Sequence, residues 1–409
     1  MIEVDEARSF VLERLTPLPS VRVTLEEGLG CVASEPIVAT EPVPGFRNSS
    51  MDGYAVRAAD TANGPVRLRV VGTVLAGDVP ERRLEAGEAI RIMTGAPIPD
   101  GADAVCMIEE TTDDPSDHSV LISRVLEEGQ FVRFPGDDVA VGQVLIATGS
   151  VVTGAQIGVL AGQGLSSISV HRRPRVGVLS TGDELASSGE ALAKGKIRDS
   201  NRPMLLALLR ESGFTPIDLG IACDDIDDIT ARLSQGVIEC DAVIATGGVS
   251  VGDVDFVKSV LADICEGTAR WMQVAMRPGK PFAFGNAGHG STPVFGLPGN
   301  PVSTRVSFEM FVRPALRRLA GHRMLERTTI NMVLDCPLAR KPDGKLHLVH
   351  VDSRIHPDGR MHIESASRHG SHLLSAVAKA NALAMIPDGD GFEPGDIVRT
   401  LLLDDEANN

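Results

Sequence analysis

The chain has 409 residues, 43% of them apolar, a formal net charge of −16, one Trp and one Tyr. That length predicts two to four domains of about 100–200 residues, each able to bury a core. The acidic balance argues against nucleic acid and anionic membranes as partners, and the scarcity of aromatics argues against stacking on single strands.

The six cysteines (Cys31, Cys106, Cys223, Cys240, Cys265 and Cys336) are scattered without a C-x-x-C pair. Neither a zinc knot nor a disulfide framework is expected, which fits a reducing cytoplasm. The first ten residues, MIEVDEARSF, are acidic and helical in pattern, unlike a signal peptide. Val4 to Leu15 carries apolar residues at helical spacing, and Pro17 and Pro19 stop it. The next stretch, to Pro44, is mixed and broken by prolines. Asn48 to Asp60 (NSSMDGYAVRAAD) is turn-rich, centred on Met51-Asp52-Gly53-Tyr54.

From Val66 to Ile146 short alternating runs separated by Gly, Pro and Asp predict an all-β region. Residues 139–170 contain no charge and are long enough to span a bilayer. Gln143, Thr148, Ser150, Gln156 and Gln163 interrupt them, so a strand, a turn and a buried helix are expected, in a protein without a membrane span. At Arg175 the rhythm changes. Strands (VGVLS, TPIDLG, DAVIA, PFAFG, PVFGLPG) alternate with helices over Asp199–Gly213, Asp227–Gln235, Asp255–Ile264 and Pro301–Leu319. This predicts an α/β domain with a mostly parallel sheet. After Glu326 the pattern is β again, a small barrel-like C-terminal domain. The fold class is therefore multidomain α/β plus β. Its expected units are 1–46 with 146–171, a β-rich 47–145, the α/β domain over 172–326, and 327–409.

Ligands of such sheets sit off the carboxyl ends of the strands. Three glycine loops fall there: Ser180-Thr181-Gly182-Asp183-Glu184, Thr246 to Asp253, and Leu297-Pro298-Gly299-Asn300-Pro301. The second includes Gly247, Gly248, Ser250 and Gly252. In the third, Asn300 is the expected cap and Pro301 the first helical residue, leaving amides free for an anion. Asp253 and Asp255 sit where a bare phosphate site would not want them. Taken alone they read as helix-capping acids; beside a phosphate cradle they imply a bridging divalent cation. Arg277 and Lys280, in MRPGKP, supply local positive charge. The pairs His347/His350 and His369/His372 suggest metal ligation but read better as incidental spacing.

The motifs STGDEL, DSN (Asp199, Ser200, Asn201), TGGVSVGD, RPGKPFAFG and GLPGNPVS resemble the molybdopterin-binding domain of late molybdenum-cofactor enzymes. With MDGYAV, MTGAPIPDGADAV and GDDV upstream, essentially the whole chain resembles the molybdopterin molybdenumtransferase (MoeA) family, to which the gephyrin E domain belongs. The resemblance implies insertion of molybdenum, from molybdate, into adenylylated molybdopterin, with Mg²⁺ present and the adenylate hydrolysed to AMP. Alternatives are an adenylyltransferase acting on molybdopterin and a non-catalytic pterin scaffold. It also implies a homodimer, and contacts with the molybdopterin adenylyltransferase and with molybdoenzyme chaperones.

By motif, Asp52, Thr94 and Asp138 fall on one face of the cleft. Glu184, Asp255 and one of Asp224 and Asp225 (Asp225 taken for the site) fall on the other. Glu184, Asp225 and Asp255 would hold Mg²⁺. Ser180, Thr181, Gly182, Asp199, Ser200, Asn201, Gly247, Gly248, Ser250, Gly252, Arg277, Lys280, Pro298, Gly299, Asn300, Pro301 and, in the last domain, Ser371 would bind the pterin and its phosphate. Where relatives carry an Arg in the first strands of the last domain, this chain offers His350, or Arg368 in its place.

Overall fold

The computed structural model describes residues 1–248, 256–288, 291–366 and 374–403. Helix α1 (Val4–Leu12) buries Val4, Ala7 and Val11, the three-and-four spacing that puts them on one face. That face does not join the strands that follow it. It enters the core of the α/β domain beside Phe282, Phe311 and Leu316. The Ile2 amide donates to Gln273 and the Leu18 amide to Leu319, so the first 18 residues are stitched to that domain.

A small N-terminal module comes next. Strands Ser20–Thr24 and Val32–Ala33 flank Ser167–His171 in an antiparallel sheet. Helix α2 (Gly154–Gly162) covers its core of Ala33, Ile146, Val152, Leu160 and Val170. Thr153 and Gln156 start α2 with a reciprocal capping box. The uncharged run is thus a strand, a turn, a helix and a second strand. No described helix is long and apolar enough to cross a membrane. The expected burial of α2 is only partial. Leu160 alone is buried and Val159 stays 43% exposed, because Gly and Ala give the helix little apolar surface to hide.

The β-rich domain is built on a six-stranded sheet in the order Ala104–Met107, Gly53–Val56, Glu88–Ile92, Val66–Val74, Ser119–Ile122, Thr111–Asp114. Alternate residues feed two cores, Tyr54 and Val56 on one face and Ala55 on the other. Gly53 fixes the start of its strand. A Cβ there would lie 1.9 Å from the Cys106 carbonyl oxygen, so no other residue permits this approach of the two strands.

The α/β domain has the sheet order Thr215–Ala222, Arg175–Thr181, Ala242–Thr246, Thr292–Leu297, Pro281–Ala287, Arg270–Gln273. The first four strands are parallel and the last two antiparallel, the mostly parallel sheet that the alternation predicts. Helix α3 (Asn201–Glu211) and the long C-terminal helix cover one face. Helices α4 (Ile226–Glu239) and α5 (Phe256–Ile264) cover the other. The long helix is α6 (Pro301–Ser307), a π-helical turn over Phe308–Val312, then α7 (Arg313–Leu319).

The last domain is a closed barrel of five strands, Thr329–Leu334, Leu346–Ile355, Met361–Ser365, Ala382–Ile386 and Ile397–Leu402. Among the described residues the strands close on one another, and Met276–Arg277 of the α/β domain pairs with Leu346–His347 beyond the closure.

Candidate functional site

Three of the parallel strands end side by side. Ser180 pairs in register with Thr246, and Thr246 with Leu297, so the loops that follow share one rim. Asn201, the first residue of α3, ties two of them together. Its Nδ2 donates to Thr246 Oγ1 and to the Gly299 carbonyl, each at 2.8 Å. Thr246 Oγ1 in turn donates to the Pro298 carbonyl at 3.2 Å, which also receives Thr304 Oγ1 at 2.6 Å. Asn201 Oδ1 is buried with no hydrogen-bond partner among the described residues, an acceptor held ready at the rim. Gly247 sits at φ +97°, and a Cβ there would lie 2.4 Å from the Thr181 carbonyl. Only glycine allows these two loops to touch.

Asp199 is 3% exposed. It accepts from Ser180 Oγ at 3.0 Å, from the Arg202 amide at 3.1 Å and from Arg202 Nε at 2.9 Å. Arg202 also reaches Asp218. These contacts hold the Ser180–Gly182 loop against the start of α3. Ser200 holds the N-cap position of that helix without a capping bond from its side chain, and Asp199, one residue before it, accepts from the Arg202 amide instead.

Two further expectations change here. The amides at the start of α6 are not open, because Asn300 Oδ1 accepts from Val302 at 3.0 Å and Ser303 at 3.4 Å. Pro301 does take the first helical position. Asp225, taken among the catalytic and metal-binding acids, is the N-cap of α4, with Oδ1 accepting from the Asp228 amide at 3.0 Å. Its neighbour faces the rim instead. Asp224 Oδ2 accepts from the Asp183 amide at 3.2 Å, and Asp183 Oδ1 from the Asp224 amide at 3.1 Å. This reciprocal clasp sets Asp224 beside the exposed Glu184. Ser250, Gly252, Asp255 and Ser371 lie outside the described residues, as does Arg368.

Arg277 and Lys280 are exposed on a loop closed by the bond from the Val274 amide to the Lys280 carbonyl. Arg277 stands where that loop joins the barrel strand carrying His347. His350, farther along that strand, is buried. Burial pushes its imidazole down to about 4, the Arg305 cation adds to this, and Glu309 opposes it. It is neutral near pH 7 and supplies no cation. Glu309 pairs with both Arg305 (2.6 Å) and Arg327 (2.7 Å).

The second group of candidate residues lies in the β-rich domain. Asp52 precedes the obligatory Gly53 and is held by the Ile108 amide on its carbonyl. Its Oδ1 accepts from the Thr94 amide at 2.7 Å and from Thr94 Oγ1 at 2.8 Å. Those two bonds, the backbone one first, hold its carboxyl below the usual range. Asp138 is exposed on the segment that pairs with Val43, its amide donating to Val43 at 3.0 Å. Among the described residues no hydrogen bond or ion pair links Asp52, Thr94 or Asp138 to the α/β domain. A cavity of about 560 Å³ opens elsewhere, between α1 and the barrel, beside Arg8, Met310, Lys345 and Arg399, and no candidate residue lines it.

Sequence reasoning passed over Thr246, Arg202 and Thr304, which hold the rim together. Thr246 opens a quoted motif and Arg202 and Thr304 adjoin one, but nothing local tells a tying residue from a filler. As for metal, the acids of the rim offer oxygen donors only, the set that suits Mg²⁺ rather than a thiophilic ion.

Comparison with known proteins accords with this layout. Residues 2–164 match the MoeA N-terminal region (domain I and II), 177–318 the probable molybdopterin binding domain, and 332–403 the MoeA C-terminal region (domain IV). A molybdopterin molybdenumtransferase of Haemophilus influenzae is 36% identical, covering 96% of this chain and 96% of the relative. One of Bacillus subtilis is 35% identical over 99% and 95%. The crystal structure of a molybdopterin biosynthesis MoeA protein from Pyrococcus horikosii superposes with a TM-score of 0.84 at 30% identity, covering 99% of both chains. The chain belongs to the MoeA family.

Proposed function

We propose that this protein is a molybdopterin molybdenumtransferase, which inserts molybdenum from molybdate into adenylylated molybdopterin and releases AMP. The observation that carries this is the rim itself: three strand-end loops bound into one cradle by Asp199 and Asn201, with carboxylates beside it. Relatives of nearly full length bear that enzyme's name. In this reading the chain folds as four domains, the first assembled from 19–46 and 146–171, with residues 1–18 packed on the α/β domain.

The pterin and its phosphate lie on the rim formed by Ser180 to Gly182, Gly247 and Gly248, and Pro298 to Pro301. Asn201 Oδ1 offers them an acceptor, and Arg277 and Lys280 flank them, with Ser371 assigned to the same ligand by its motif alone. Glu184, Asp255 and Asp224, in place of Asp225, hold Mg²⁺, which neutralises phosphate charge when bound. Asp52 is ionised at neutral pH and too weak a base to remove a proton efficiently. Its part is to orient the attacking water through the oxygen that Thr94 leaves open, with Asp138 beside it. Asp52 and the rim belong to different domains with no bond between them among the described residues, so the reading needs the two faces of a homodimer. The exposed, uncharged α2 suits an interface between subunits. The same reading places the protein in the cytoplasm, receiving substrate from the adenylyltransferase and delivering product to molybdoenzyme chaperones.

The test is reconstitution. With adenylylated molybdopterin, molybdate and Mg²⁺, purified protein should release AMP and yield active cofactor. Consumption of ATP with free molybdopterin, and no AMP release from the adenylylated form, would make it the adenylyltransferase instead. Exchanging molybdate for tungstate measures the metal preference, and sedimentation the dimer.

A further inference from the structure

The C-terminal barrel carries a second group of ligand-type side chains, far in sequence from the rim. The strand ending at Ile355 and the strand starting at Met361 form an antiparallel hairpin. Its turn is closed by the His356 amide on the Arg360 carbonyl and by the Gly359 amide on the His356 carbonyl, both at 2.9 Å. Three side chains converge on this turn. His356 Nδ1 lies 3.3 Å from Asp358 Oδ1, and His362 Nε2 lies 3.2 Å from Asp358 Oδ2. The two imidazoles stack with centroids 4.2 Å apart, and one ligand atom from each of the three residues falls within 4.8 Å of the others.

Two features go beyond a chance cluster. Metal–nitrogen and metal–oxygen bonds of about 2.0–2.1 Å place tetrahedral ligand atoms roughly 3.3 Å apart; each histidine already lies at that distance from one oxygen of Asp358, and the surface His356 ring has only to turn out of the stack to share an ion with His362. The other nitrogen of His362, Nδ1, lies 2.5 Å from Asp335 Oδ1. A carboxylate behind an imidazole fixes its tautomer and aims the remaining nitrogen, the usual support of a metal-bound histidine. His362 is buried, so its ring is held in this orientation, whereas Asp358 is open for a water to complete the coordination. Arg360 competes for Asp358 at 2.7 Å, but its side chain is 64% exposed and can swing into solvent.

We propose that His356, Asp358 and His362 form a site for a borderline divalent transition ion such as Zn²⁺, with Asp335 as its supporting carboxylate. Two imidazoles and one carboxylate favour Zn²⁺, Co²⁺ or Ni²⁺ over Mg²⁺ and Ca²⁺, which want oxygen alone. A bound ion would staple the hairpin of the barrel. It would be separate from the Mg²⁺ that the reaction uses.

Full-length protein, stripped with a chelator and held in excess Mg²⁺ to fill the all-oxygen sites, is titrated with Co²⁺. The visible absorption of a nitrogen- and oxygen-bound ion should rise to one equivalent and be abolished by Zn²⁺. His356→Ala and Asp358→Ala, both on a surface turn, should each weaken binding at least tenfold. Asp335→Asn should weaken it by about 10–100-fold. AMP release in Mg²⁺ should stay unchanged in His356→Ala, and the barrel's melting temperature should rise with Zn²⁺ in the wild type alone. Co²⁺ binding no tighter in the wild type than in a His356→Ala/Asp358→Ala double variant overturns the site.

Discussion

The rim of the α/β domain and the Asp52 turn of the β-rich domain hold their polar groups in opposite ways. On the rim, Asp199 is satisfied three times over, and Asn201 spends both amide hydrogens on neighbouring loops. Those groups set the shape of a cradle and leave only one acceptor unfilled. At the Asp52 turn a single residue, Thr94, holds one carboxylate oxygen and leaves an exposed charge. The first region is built by packing and buried hydrogen bonds, so altering it changes the fold. The second is built by two bonds from one residue at the surface, so altering it changes the chemistry. This division separates residues whose loss is read in stability from residues whose loss is read in rate.

Asp52→Asn tests the second half of that statement and should have the largest effect. The amide can still accept from Thr94, so the melting temperature should not move, while AMP release falls on the order of 10²-fold, because the water loses the oxygen that orients it. A variant that lost stability and kept its rate would reverse the assignment.

Acid separates the two regions by a different route. His350 titrates near 6.5 when unfolded and near 4 when folded. The unfolded chain therefore binds more protons between those values. The stability gained by keeping the ring neutral is whole above pH 6.5 and is lost as pH falls through about 4, by up to about 3 kcal/mol. His322, lowered to about 3 by its burial and by Arg317 and Arg313, acts in the same sense. Asp52, held below the usual carboxyl range, stays ionised through this window. Activity lost between pH 6 and 4 (roughly the interval set by His350) should follow unfolding followed by circular dichroism. A His350→Gln variant should flatten that limb; an unchanged limb would put the titration elsewhere.

Asn201→Ala comes next. It leaves Thr246 Oγ1 and the Gly299 carbonyl without their donor, a loss of about 1–3 kcal/mol measurable by urea unfolding. Substrate affinity should weaken with it, whereas Asp52→Asn should spare affinity.

These contrasts also explain what could be read from the sequence. A strand that runs into glycines and then a helix is a local pattern, so the loops at Thr181, Thr246 and Leu297 could be placed on one sheet from spacing alone. The closed barrel was legible as five alternating runs. What escaped depends on three-dimensional partners. The partial exposure of α2 follows from how little area Gly154, Ala155 and Gly158 can bury, which a charge-free run conceals. The amides after Asn300 looked free because capping by its side chain is a matter of rotamer. The His356, Asp358 and His362 group crosses a turn and draws its supporting carboxylate from Asp335, just past the end of another strand, a pattern without a regular spacing.

The choice between Asp224 and Asp225 shows the same boundary most finely, and carries the smallest expected effect. The two residues are chemically identical and adjacent, so no motif separates them. Backbone geometry does. At Asp225 the chain is extended (φ −133°, ψ 132°), the conformation of a helix cap, and the side chain turns back onto the Asp228 amide. At Asp224 the chain still faces the end of the sheet, where the clasp with Asp183 directs the carboxylate to the rim. Asp225→Ala should therefore cost about 1 kcal/mol of stability through the lost cap and leave AMP release intact. Asp224→Ala should leave stability nearly unchanged, because its bond is exposed, and should raise the Mg²⁺ concentration needed for half-maximal rate. If Asp225→Ala shifted the Mg²⁺ requirement and Asp224→Ala did not, the cap would be doing double duty and the rim would have to be redrawn around α4.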